Sequence, residues 1–210
     1  MKYPLAERFK SIQGEGLYTG APMAFIRLVG CSVGQGVCTH CDTDFDKPYP
    51  ELGGGLYDPT ELATWSLPYD TICLTGGEPL DRSLKPLVDA AHEEGIVVHV
   101  ETSGTVKYDP QRHGSLNWIT VSPKPGYLPF MIEMANEVKV ILGGLGDDPT
   151  GWPSVEQAVV WAREGKLVYL QPRNLKHFID PLALDEALGL VDRHPELRLS
   201  NQFHKFLNVR

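Results

Sequence analysis

Three cysteines fall within eleven positions, Cys31, Cys38 and Cys41, in the stretch GCSVGQGVCTHCDT at 30–43. Six residues separate the first two and two separate the second pair. Clustered cysteines in a chain without a secretory leader read as metal ligands rather than disulfides. Three thiolates on one loop can hold three irons of a [4Fe–4S] cubane and leave the fourth open, and an open metal position implies chemistry. Gly34 and Gly36 let the backbone curl closely around such a group. Blander readings use the same residues. A structural zinc site would take His40 or Cys73 as its fourth ligand. Cys73 sits mid-strand among apolar neighbours, however, and reads as ordinary core. An electron-transfer cluster wants a fourth cysteine. The cysteines alone leave these alternatives open.

The loop resembles the three-cysteine loop of radical S-adenosylmethionine enzymes. It departs from it in the first gap, six residues where three are usual, and in His40, which stands in the place of the usual aromatic. TGGEP at 75–79 follows a strand; alone it reads as a turn. After a cysteine loop it resembles the superfamily's glycine-rich segment, where Gly77 and its neighbours receive the methionine end of the cofactor. Glu101 and Ser103 in ETSG end the next strand, where a carboxylate can accept from ribose hydroxyls. Ser122, Pro123 and Lys124 end another, and Lys124 can pair with a carboxylate. Gln171 before Pro172 is a further candidate for the cofactor.

A second set of residues points to a substrate. In FKSIQGEG at 9–16, Gln13 and Glu15 alternate with Gly14 and Gly16, so both side chains can point inward along an extended segment. Arg27 is a charge inside the apolar run MAFIRLV. A buried arginine needs a partner, and without an evident acidic neighbour a substrate carboxylate serves. The chain ends HKFLNVR, which reads as an anchored tail rather than a frayed one.

Taken together, IQGEG, Arg27, CDT after Cys41, TGGEP, SPK and the HK-containing end resemble the 7-carboxy-7-deazaguanine synthase family over nearly the whole chain. The resemblance implies a carbon–nitrogen lyase that converts 6-carboxy-5,6,7,8-tetrahydropterin to 7-carboxy-7-deazaguanine with loss of ammonia, on the route to queuosine. It implies a [4Fe–4S] cluster on Cys31, Cys38 and Cys41, S-adenosylmethionine, and Mg²⁺ on Thr43. His40, Asp42, Gly77, Glu101, Ser103, Ser122, Pro123, Lys124 and Gln171 would surround the cofactor. Ile12, Gln13, Gly14, Glu15, Arg27, Thr75, His204 and the terminal carboxylate of Arg210 would contact the pterin. It also implies a homodimer and an external one-electron reductant such as flavodoxin. Two rivals share part of the pattern: a small activase of the same superfamily, and a non-enzymatic zinc or iron–sulfur module.

These residues need a scaffold. Strand patterns at 23–29, 71–75, 96–100, 118–121, 137–142, 167–170 and 197–199 alternate with helical ones at 59–65, 83–94, 154–163 and 182–194. Alternation of that kind builds a parallel sheet with crossover helices, with ligands at the C-terminal strand ends. Six or seven strands are too few for a full eight-stranded barrel, so an α/β fold with a partial, incomplete TIM-like barrel is expected, as one domain over 1–210. A formal net charge of −8 argues against a broad nucleic-acid surface. No apolar run approaches a membrane span or signal peptide, and a cytoplasmic protein is expected.

Overall fold

The computed structural model describes residues 1–34, 37–38, 41, 45–143, 150–175 and 178–210. Its strands are β1 (Tyr3–Ile12), β2 (Pro22–Leu28), β3 (Gly55–Tyr57), β4 (Thr71–Gly76), β5 (Val97–Thr102), β6 (Trp118–Val121), β7 (Glu137–Leu142), β8 (Leu167–Pro172), β9 (Asn174–Leu175), β10 (Phe178–Ile179) and β11 (Arg198–Leu199). The helices are α1 (Pro59–Ser66), α2 (Lys85–Glu93), α3 (Pro110–His113), α4 (Pro129–Met134), α5 (Val155–Arg163), α6 (Pro181–Arg193) and α7 (Phe203–Leu207). Nine strands form one sheet in the order β11-β8-β7-β6-β5-β4-β2-β1-β3. The run from β2 to β11 is parallel, and β1 joins antiparallel to both β2 and β3.

Period-two alternation sorts the parallel strands into two faces. Ala24, Ile26 and Leu28, then Ile72 and Leu74, Val98 and Val100, Val138 and Val140 belong to the core shared with the helices. The intervening positions hold Arg27, Thr75, Glu101 and Lys139, which line a cavity instead. One face is therefore a conventional apolar layer, and the other carries the polar groups.

Two differences from the sequence reading matter for the site. The polar segment before the first parallel strand is itself part of a strand, β1, and the short β3 pairs with it, so the sheet has nine strands rather than six or seven. Its register sets Glu7 opposite Arg27 and Phe9 opposite Phe25. The turn of this β1–β2 hairpin also reaches strands well beyond its neighbours. Tyr18 packs its ring against His99 and Trp118, and the Leu17 amide donates to the Glu137 carboxylate at 2.8 Å. Helix α5 starts where expected, with Ser154 and Gln157 forming a reciprocal capping box.

Candidate active site

A cavity of about 600 Å³ lies over the polar face of the sheet. Its floor is a charge network. Lys139, fully buried on β7, donates to Glu101 of β5 at 2.6 Å and to Glu15 of the hairpin turn. Glu15 also accepts from Gln202 at 2.8 Å, and Glu101 accepts from Gln13 at 3.2 Å. Burial by itself would raise Glu15, but Lys139, Gln202 and His204 outweigh it and depress the carboxyl to about 2. Burial would likewise lower Lys139, but Glu101 and Glu15 raise it above the usual lysine range. Glu15 and the ammonium are thus charged at neutral pH. Two residues earlier on β7, burial lifts Glu137 to about 7 against the opposing Leu17 amide and Lys139.

The glycines of the IQGEG segment have specific reasons. A Cβ on Gly14 would fall 1.9 Å from His204 Nδ1, and one on Gly16, whose φ is +66°, would fall 2.0 Å from Glu137 Oε1. The Phe203 amide also donates to Gly14 O at 2.8 Å. The C-terminal tail therefore lies directly on the N-terminal motif from the other end of the sequence, and Ile12, Gln13, Gly14, Glu15, Thr75 and His204 all line the cavity.

Arg27 has an acidic partner after all. Glu7 accepts from Arg27 Nε at 2.7 Å and also from the guanidinium of Arg210. The sequence reading found no carboxylate because it did not pair residue 27 with residue 7 across the hairpin. Phe9 and Phe25 stack beside them, with centroids 5.0 Å apart and planes within 9°, and Arg210 lies over Phe9. This group holds two guanidiniums and one carboxylate, whereas the Lys139 group holds two carboxylates and one ammonium.

Cys38, Cys41, Ser122, Lys124 and Gln171 also line the cavity. Lys124 donates to Ser122 O at 2.9 Å and Ser122 Oγ at 2.7 Å, and burial pushes its pKa down. Trp152, which the sequence reading did not single out, supplies an aromatic surface 5.7 Å from Lys124 Nζ. Gln171 is buried and accepts from Ser200 at 2.9 Å. Cys31 is half-buried against Gly77, where a Cβ would meet Gly30 O at 1.9 Å and Cys31 Cβ at 2.6 Å. Burial raises the thiols of Cys31 and Cys38. Among the described residues, no three His, Cys, Asp or Glu side chains converge in metal-holding geometry. His40, Asp42 and Thr43 lie outside the described residues. Cys73 is 1 % exposed and packs on Met23 and Phe25, as core.

Among the described residues, four expected ones do not line the cavity: Cys31 and Gly77, which lie against each other, and Pro123 and Ser103. Pro123 is buried beside Ser122. Ser103 faces Glu78, whose carboxylate accepts from its amide at 2.8 Å and its hydroxyl, from Thr102 Oγ1 at 2.7 Å, and from the Leu80 amide. The glutamate of TGGEP thus ties the ends of β4 and β5 together. Lys139, Glu7 and Glu78 were all missed by sequence reasoning. For Glu7 the hairpin register is the signal that would have found it.

No family model matches the chain. It is 35 % identical to the 7-carboxy-7-deazaguanine synthase of Synechocystis sp., covering 100 % of this chain and 95 % of that protein. It is 32 % identical to the synthase of the same name from Burkholderia multivorans, over the full length of both. The chain belongs to the 7-carboxy-7-deazaguanine synthase family. The solved structure of QueE from Escherichia coli superimposes with a TM-score of 0.73 at 28 % identity, over 97 % of this chain and 95 % of that one. Membership makes the chain an enzyme, and the non-enzymatic module falls away. The match to QueE agrees with a mixed α/β fold around a large, mostly parallel sheet.

Proposed function

We propose that this chain performs the radical S-adenosylmethionine, Mg²⁺-dependent conversion of 6-carboxy-5,6,7,8-tetrahydropterin to 7-carboxy-7-deazaguanine, with loss of ammonia. The observation that carries the reading is the polarity of the cavity. One group in it has a carboxylate in excess, Glu15 and Glu101 on Lys139; another has a cation in excess, Arg27 and Arg210 on Glu7. A 6-carboxypterin has the matching pattern. Its pyrimidine edge presents N–H donors that suit carboxylates, and its carboxylate suits a guanidinium. Phe9 and Phe25 offer the flat ring an apolar surface.

The cavity edge fits a cluster with its cofactor. Cys31, Cys38 and Cys41 are thiol donors, and a metal takes the place of the protons that burial holds on Cys31 and Cys38. The bare backbone at Gly77 allows close approach, and Lys124 and Gln171 offer a cation and an amide. Glu101 and Ser103 remain part of the proposed cofactor surround, the first shared with Lys139 and the second through Glu78. When bound, cluster and cofactor supply hydrogen-atom abstraction, and the chain orients substrate and excludes water. His40 and Asp42 complete the cofactor surround, and Thr43 is the proposed Mg²⁺ ligand, a hard oxygen donor.

The sheet is read as an incomplete barrel. Five strand steps separate β1 from β7, about 24 Å in a flat sheet. The β1–β2 turn nonetheless touches β7 through Glu15 and Lys139, and a curled sheet accounts for that reach. A homodimer and a flavodoxin-like one-electron donor belong to the same proposal. Exposed Phe178 and Leu182 offer apolar surface for pairing.

The test is anaerobic reconstitution with iron and sulfide, followed by incubation with substrate, S-adenosylmethionine, Mg²⁺ and dithionite. Mass spectrometry should find 7-carboxy-7-deazaguanine, with ammonia released in equal amount. Cofactor cleavage without deazaguanine would overturn the substrate assignment.

A further inference from the structure

We propose that Lys139 is a positioning residue for the pterin: its ammonium, shared between Glu15 and Glu101, holds Glu15 where it meets the ligand's N–H edge. The pterin part of this rests on the functional reading above. The observations are geometric. Lys139 has 3 % of its side chain exposed and sits in the middle of β7, where neighbouring Val138 and Val140 pack into the apolar core. A lysine in such a place has no packing reason to be there and keeps its charge only through partners. Its partners come from distant parts of the chain, Glu15 from the hairpin turn and Glu101 from β5. Each carboxylate is tied once more, Glu15 to Gln202 and Glu101 to Gln13. One ammonium therefore sets the position of segments that all line the cavity.

The surrounding charges narrow what its removal does. Beside Glu15 and Glu101 stand Glu137 on the same strand, Lys124 after β6, the Cys73 thiol on β4 and Arg27 on β2; His204 stands near Glu15. Lys124 acts on Lys139 and Glu15 through space but donates to Ser122, so it does not replace Lys139. Without Lys139 the two half-buried carboxylates that shared it lose the cation between them, and the pair takes up a proton more readily as pH falls. That proton occupies an oxygen the ligand's N–H needs.

The experiment uses the reconstituted enzyme and pterin-6-carboxylate, a stable aromatic probe, titrated by calorimetry between pH 5 and 7.5. The wild type should bind with nearly constant affinity. K139M should bind at least tenfold more weakly at pH 7.5 and several-fold more weakly again at pH 5. K139R should recover most of the affinity, and K139M/E101Q should lose the pH dependence. Binding by K139M within twofold of wild type at every pH overturns the proposal. So does a loss that is independent of pH and equal in K139M and K139R. Should K139M not fold, K139M/E101Q is compared with E101Q: a tenfold weaker affinity supports the proposal and an equal one overturns it. Melting temperatures separate this idea from the functional reading. A pair that shares a proton has a raised pKa, so it stabilises at low pH and loses that stability as pH rises through the raised value. The melting gap between wild type and K139M should widen from pH 5 to 8 even if the wild type binds no pterin, and a constant gap overturns the charge role.

Discussion

His204 occupies the space that a side chain on Gly14 would need, with its Nδ1 1.9 Å from where that Cβ would be. The glycine is therefore a contact surface for the tail. Gly14→Ala forces either the hairpin or the tail to move. Overpacking of this kind costs about 1–3 kcal/mol. Thermal melting should show that loss, and calorimetry should show weaker pterin binding with S-adenosylmethionine binding nearly intact. Unchanged pterin affinity in a folded Gly14→Ala protein would separate the tail from the site.

Much of the scaffold was legible because local signals agreed with the packing. Ser154 with Gln157 marked a helix start, and Trp118–Val121 and Glu137–Leu142 were read with their observed bounds. Cys73 was read as core and is core. The misses share one cause. Strand β1 carries Glu7, Arg8 and Lys10 on either side of Phe9, which masks its alternation. Glu7 faces the cavity, whereas Arg8 stacks on Tyr57 and Trp65, so both faces bear charge for different reasons. Lys139 hid in the same way, because a lysine among valines looks like an edge position until the cavity face is known. Long-range pairings such as Glu7 with Arg27 depend on hairpin register, which composition does not carry.

Glu137 makes stability depend on pH. Its folded pKa, about 7, lies above the ordinary glutamate value. Such a group leaves the protein most stable at low pH, below its unfolded value, and that stability is lost as pH rises through about 7. From pH 5 to 8 the loss is on the order of 2 kcal/mol. Glu137→Gln keeps an acceptor for the Leu17 amide and should flatten this part of the profile. Urea midpoints at pH 5, 6.5 and 8 check it, and parallel profiles for the two proteins would remove Glu137 as the cause.

The three loop cysteines and Cys73 should part company. Changing Cys31, Cys38 or Cys41 to Ala should abolish the brown chromophore after reconstitution, together with cofactor cleavage. Cys73→Ala should retain both, losing packing worth about 1 kcal/mol. Absorbance near the cluster bands, read beside iron content, distinguishes these results. A colourless Cys73→Ala protein would mean that the three-ligand assignment is wrong.

Arg27 and Arg210 share Glu7 but should not contribute equally. Arg27 is largely buried on a strand, whereas the Arg210 side chain is 48 % exposed at the chain end. A desolvated guanidinium facing a ligand carboxylate is worth far more than a solvated one. Arg27→Ala should weaken pterin-6-carboxylate by about 2–4 kcal/mol. Arg210→Ala should cost about 1 kcal/mol, as for exposed pairs. Neither should change S-adenosylmethionine affinity much. Adding residues after Arg210 tests this position separately, since the pairing of Arg210 with Glu7 holds it at the cavity. Added residues would then meet the pterin, and binding should weaken while the cofactor is unaffected. If the extended protein binds pterin as well as the unextended one, the terminal carboxylate lies outside the site. Glu15, already fixed by Lys139 and Gln202, would then be the acceptor for the ligand's N–H edge.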